Sequence, residues 1–315
     1  MKNLILSFIV ALTIAAVEAA APAEPIVKRN VVTFESSATA EQIAAAKAKI
    51  VAKNAAKLKL VFKKTSDEAT VLAALGQFPD AVEVTIDEIP LASLEPLAKL
   101  GKVKTLSLRF GKDLDFTPIA NLPKLQELSA YGATVKSFAP LATCPKLKSV
   151  MFYSVKGPQS LYDSLGALKQ VKKFTGGSTS MTSIEWMREV PQAEEISFLA
   201  EEIADFSPLQ SLANLKCVKF STMSVGDLAI LSKCANLTRV DLLNAEFANT
   251  MALAALPKLT DVNFIGAKSP VDVSFAAKCP KLKRLNLWGC TVENGATLKE
   301  LPNLKVSTDK KTVGL

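Results

Sequence analysis

Histidine is absent from this 315-residue chain. Ser-His and Cys-His nucleophile pairs and imidazole metal ligands are therefore excluded. Cysteine is scarce: five residues, Cys144, Cys217, Cys234, Cys279 and Cys290, form an odd set with no C-x-x-C pair. That spacing fits neither a zinc site nor a disulfide framework, so no structural disulfide is expected. Thirteen glycines are too few for a low-complexity chain, and the 6% of aromatics do not interleave with the lysines as nucleic-acid stacking platforms would. Beyond Val17, every apolar run is broken by lysines or acids, which excludes a later membrane span.

The beginning is different. Lys2 precedes an apolar run from Leu4 to Val17, followed by small residues at Ala19 and Ala21. Too short to span a bilayer comfortably, the run reads as a signal peptide over 1–19. Residues 20–30, with Pro22 and Pro25, read as a flexible leader. Cleavage would leave a secreted or periplasmic protein with no transmembrane anchoring.

From Phe78 onward one apolar phrase returns about every 22 residues, opening at Phe78, Leu100, Leu122, Cys144, Leu168, Val190, Leu212, Cys234, Leu256, Cys279 and Leu301. Counting from each opening, columns one, four, seven and nine are apolar. Columns seven and nine, such as Leu106 with Leu108 or Val218 with Phe220, have strand spacing. Column sixteen holds Ser93, Asp115, Ser137, Ser183, Asp205, Asp227, Asn249 and Asn294, with Asp272 displaced by an insertion. These residue types cap helix starts, and Pro96, Pro118, Pro140 and Pro208 follow where a first turn tolerates proline. Each repeat thus predicts one strand and a short helical crossover, which gives a parallel sheet of right-handed hand. Residues 78–304 contain about ten such repeats.

Before them, 31–77 reads as an α/β cap: strands at Val31–Phe34 and Leu58–Phe62, helices over Ala40–Asn54 and Asp67–Leu75. Residues 305–315 read as a frayed tail.

The stretches LDFTPIANLPKLQEL (Leu114–Leu128) and IADFSPLQSLANLKCV (Ile203–Val218) resemble the leucine-rich repeat family, in its 22-residue internalin-like class. The resemblance implies an α/β solenoid with a curved parallel sheet on its concave face, short helical turns on its convex face, and a protein-binding role. The family usually has Asn or Cys at column twelve. Here that column reads Ile89, Gly111, Ala133, Val155, Thr179, Glu201, Met223, Ala245, Ala267 and Cys290, so the asparagine ladder is missing.

On that architecture columns six, eight and ten face away from the core. Column ten is rich in apolar residues, and Arg109, Tyr131, Tyr153, Leu199, Leu243, Ile265 and Trp288 are the candidate ligand contacts. Glu127, Arg239, Asp261 and Arg284 are candidate polar neighbours. Lysines recur in columns three and five, where the formal charge of +8 could attract an anionic surface polymer or simply solvate an edge. TGGSTS at Thr175–Ser180 lacks the ending of a phosphate loop, and Gly176 in a core column marks an irregular strand. Asn236-Leu237-Thr238 is a glycosylation sequon. No catalytic residue, metal site or cofactor is expected. The sequence predicts an exported, non-catalytic scaffold for an unidentified protein ligand, with no nucleic-acid partner. The alternative is a cell-envelope structural or anionic-glycan-binding protein using the lysine edge.

Overall fold

The computed structural model describes residues 23–51, 56–120, 122–200 and 202–314. The expected signal peptide lies outside the described residues.

Columns seven and nine become the inner face of one fourteen-stranded sheet. Its strands are β1 (Ile26–Lys28), β2 (Val31–Phe34), β3 (Lys59–Phe62), β4 (Glu83–Asp87), β5 (Thr105–Arg109), β6 (Glu127–Tyr131), β7 (Ser149–Tyr153) and β8 (Lys173–Gly177). They continue as β9 (Glu195–Leu199), β10 (Cys217–Ser221), β11 (Arg239–Leu243), β12 (Asp261–Ile265), β13 (Arg284–Asn286) and β14 (Lys305–Ser307). Only β1 runs antiparallel to its neighbour. From β4 to β12 the register never slips, so equivalent columns stand side by side. Leu106, Leu128, Val150, Phe174, Ile196, Val218, Val240 and Val262 form one buried rung of the core. Phenylalanines thicken it, with Phe138 against Phe152 (5.8 Å) and Phe206 against Phe220 (5.1 Å).

Opposite the sheet, the crossovers are mainly single 3₁₀ turns such as Ser207–Ser211. A proline in the first positions and only three to six residues of length leave no room for a full α-helix. Of the nine expected caps only Asp227 occupies the N-cap and caps with its side chain; six more stand one residue ahead of the N-cap yet still bond a first-turn N–H. Ser93, Asp115, Ser137, Ser183, Asp205, Asp227 and Asp272 each accept the N–H two residues on. Asn249 and Asn294 instead adopt left-handed backbone and cap nothing with their side chains. The repeat lengthened by two residues is where a crossover contains the α-helical turn Gln159–Asp163. There the buried Tyr162 hydroxyl donates to the Val155 carbonyl (2.8 Å) and meets Ser180 Oγ (2.9 Å).

Without an asparagine ladder, the chain leaves each strand by a left-handed residue at column eleven, from Glu88 (φ 56°) and Phe110 (φ 55°) through Gly266 and Gly289. Most of these are not glycine, and such a conformation is disfavoured for other residues. It is held because each of these N–H groups but the last extends the sheet ladder by one rung. Phe110 N–H donates to the Tyr131 carbonyl (2.7 Å), and Ser154 N–H to that of Gly177 (2.7 Å). In column twelve Cys290 brings a side-chain donor, its Sγ to the Phe264 carbonyl at 3.0 Å. An amide ladder does exist, but before the strands. Gln170, Gln192, Asn214 and Asn236, all in column three, donate to backbone carbonyls of the preceding repeat.

Three expectations are corrected. Ile26–Lys28 of the supposed leader pair with β2, because Val31–Phe34 would otherwise be an open edge. The supposed tail contains β14, and Val292 N–H donates to the Val313 carbonyl (2.8 Å), so backbone pairing rather than side-chain burial fastens it. Gly176 sits in a regular strand paired on both sides, and its missing side chain makes room for Phe152, whose Cε2 would be 2.3 Å from a Cβ there. In the region expected to be the cap, helix α1 (Ala40–Ala48) begins at Thr39 with a capping box and stops short of the expected Asn54, while α2 spans Glu68–Gln77.

Candidate ligand-binding face

Unbroken register places Arg109, Tyr131, Tyr153, Gly177, Leu199, Ser221, Leu243 and Ile265 in one row along the outward face. Trp288 stands just past β13, and its carbonyl accepts from Gly266 N–H (2.7 Å). Tyr131 (44%), Trp288 (48%) and Leu199 (36%) are exposed, whereas Tyr153, Leu243 and Ile265 are half-buried.

The row is not uniform. In its first half Tyr131 lies 6.4 Å from Tyr153, centroid to centroid, and 5.5 Å from Phe110 in an edge-on contact. Phe110 is 48% exposed and absent from the sequence-based candidates, as is the exposed Met151. Phe110 occupies column eleven, beyond the last residue that simple alternation turns outward. Its left-handed backbone is what brings the ring beside the row, over Gly132, where a Cβ would be 2.6 Å from the ring. Glycine on the neighbouring strand similarly underlies Tyr153. Burial pushes the Tyr153 hydroxyl pKa up, against an opposing pull from Lys173.

The polar candidates divide. Glu127 and Arg109 are exposed and make no ion pair among the described residues. Arg239 lies on Asp241, with Nε 2.9 Å from both carboxylate oxygens, and Asp241 also accepts from Asn263 (2.5 Å). The Asp241 carboxylate raises the Arg239 pKa. Asp261 is 8% exposed, ion-paired with Arg284 and bonded to Thr260 Oγ1 (2.7 Å). Asp261 therefore reaches a ligand only by leaving its partners, whereas Arg239 and Arg284 are each tied through Nε alone.

The lysine edge is uneven as well. Lys172 and Lys216 grip Glu194 from both sides (2.5 and 2.6 Å), and their hydrogen bonds depress its carboxyl pKa to about 2. Lys102 pairs with Asp80 (2.8 Å), and Lys258 donates to Asn236 Oδ1 (2.5 Å). The sequon amide thus already holds two partners, since Asn236 Nδ2 donates to the Ala213 carbonyl (2.7 Å). Cys217 is partly buried on the outward face, and burial, with Asp241 and Glu195 nearby, lifts its thiol pKa to about 11. Among the described residues no three His, Cys, Asp or Glu side chains group as metal ligands, and no helix is long and apolar enough to cross a membrane.

A parallel sheet whose strands recur once per repeat, backed by short crossovers around one continuous core, defines a right-handed leucine-rich repeat solenoid with an N-terminal α/β cap. No protein-family model and no curated protein sequence matches the chain. Among solved structures it is similar to an internalin, InlF, of Listeria monocytogenes strain 4b F2365. The identity is 15% and the TM-score 0.60, over 89% of this chain and 86% of that one. Internalin C2 of the same strain matches at 17% identity and TM-score 0.43, over 76% of this chain and 84% of that one. The plant peptide hormone receptor RGFR1, in complex with RGF2, matches at 16% and 0.44, over 80% and 47%. At such identities the likeness is one of fold.

Proposed function

We propose that this chain is an exported, non-catalytic scaffold that holds a protein ligand across its concave sheet. The carrying observation is the cluster of Phe110, Tyr131 and Tyr153, in which Tyr131 contacts both other rings, Phe110 and Tyr131 are exposed and Tyr153 is half-buried on the sheet face. Aromatic anchors of this kind contribute most of the energy in protein interfaces, because they bury much area while losing little side-chain freedom. Rings seated on glycines are already fixed in place, which lowers the ordering cost of binding. Trp288 supplies a second anchor toward the C-terminal end. Export rests on the apolar run Leu4–Val17 and the small residues after it.

The test is affinity capture from the native medium and envelope, using the wild-type chain beside a Tyr131→Ala, Tyr153→Ala, Trp288→Ala variant of unchanged thermal stability. A protein partner retained by the wild type and released by the variant is expected. Equal retention of every partner by both chains would overturn the site.

A further inference from the structure

We infer that β5, β6 and β7 form a two-part docking surface for an extended protein segment that carries an acidic run beside apolar residues. This rests on the concave-face reading above and adds the chemistry of the partner. The same three repeats that carry Phe110, Tyr131 and Tyr153 at the strand ends and the exposed Met151 in mid-strand carry Lys104, Lys124, Lys146 and Lys148 ahead of the strands. All four lysines are exposed, and no carboxylate among the described residues pairs with them.

In the middle repeats the chain neutralises these columns internally, whereas Lys281, Lys283 and Lys305 in the last repeats are again exposed with no carboxylate paired to them among the described residues. Gln170, Gln192, Asn214 and Asn236 replace lysine in column three, and Glu194 takes both Lys172 and Lys216 in column five. Unpaired positive charge in the first half therefore coincides with exposed aromatic surface. Neighbouring strands are about 4.8 Å apart, so Lys124 and Lys146 stand in adjacent rungs and gain from any anionic partner that relieves their repulsion.

Geometry sets the segment. Lys148 and Tyr153 bracket β7 five residues apart, about 17 Å of strand, which an extended chain of about five residues spans. The floor between the two ends includes the partly exposed Thr105, Ser107, Ser129 and Ser149, whose hydroxyls make no side-chain hydrogen bond among the described residues. They are small, and free to bond a peptide backbone. One carboxylate opposes an acidic partner there: Glu127, at the start of β6.

Selection of a displayed random-peptide library on the full chain tests this, followed by affinity measurements at low and moderate salt. Enriched peptides are expected to combine Asp or Glu with an aromatic or large aliphatic residue about five positions away. Their affinity should fall on the order of tenfold for the Lys104→Gln, Lys124→Gln, Lys146→Gln, Lys148→Gln variant, as four exposed pairs of a few tenths of a kcal/mol would give. Glu127→Gln should tighten binding. Enrichment without acidic bias, or acidic peptides that bind the lysine variant equally, would overturn the two-part surface. If Tyr131→Ser, Tyr153→Ser then still abolishes binding, the concave reading stands alone; if that variant also binds normally, the concave reading falls separately. Dextran sulfate held equally by the tyrosine variant, with no acidic peptide enriched, would replace the protein segment with an anionic polymer and overturn the proposal.

Discussion

The ring of Tyr153 occupies the space where a side chain at Gly177 would begin: a Cβ there would stand 2.4 Å from Tyr153 Cε1. One residue earlier, Gly176 does the same for Phe152 on the opposite face. Two consecutive glycines on β8 thus seat two consecutive rings of β7, one in the core and one toward solvent.

Gly176→Ala should destabilise the chain by about 1–3 kcal/mol, because Phe152 is fully buried and cannot yield without strain. Urea unfolding gives the value, and an unchanged midpoint would show that the core accommodates the methyl group.

Gly76→Ala should move stability the other way. Gly76 lies near the end of α2 with nothing within 4 Å of an added Cβ, so alanine removes unfolded-state freedom without a clash. A gain of roughly 0.5–1 kcal/mol is expected on the same urea scale.

Asn236→Ala removes the amide that donates to the Ala213 carbonyl and accepts from Lys258. A loss of about 0.5–1.5 kcal/mol is expected, typical of a net hydrogen-bond contribution. Should denaturation midpoints coincide with wild type, the column-three ladder contributes nothing to stability.

Glu194 sets a pH dependence. Its folded-state pKa of about 2 lies below the ordinary 4.5, so its stabilising effect is present above pH 4.5 and is lost as pH falls toward 2. Glu194→Gln should therefore be less stable than wild type at neutral pH, with the difference shrinking through that window. Parallel stability curves at all pH values would contradict the clamp between Lys172 and Lys216.

Thiol chemistry should be slow. Burial lifts the Cys144, Cys234 and Cys279 thiols to about 11, so little thiolate exists at mildly alkaline pH. Iodoacetamide should modify them slowly in the native chain and readily in urea, with mass spectrometry as readout. Fast native alkylation of Cys234 would show that the core opens.

Much of the fold was legible because strand periodicity and repeat length are local properties of the chain. Leu106 with Leu108 declares a strand regardless of what it packs against, and Thr39 with Gln42 declares a helix start. Phe110 was not legible, since its outward ring depends on a left-handed backbone held by the carbonyl of Tyr131 in the next repeat. Asp261 was read as an open contact because alternation turns its column outward, but Arg284 of the neighbouring strand and the hydroxyl of the preceding Thr260 enclose it.

By itself the sequence determined the repeat, the inward columns, most capping side chains and the absence of imidazole chemistry, because each follows from residue type at a fixed spacing. Tertiary structure decided which lysines are neutralised, which glycines seat a ring, and which outward residues remain open. Those outcomes depend on side chains about 22 residues apart in sequence meeting across about 4.8 Å of sheet, a proximity that exists only once the strands are in register.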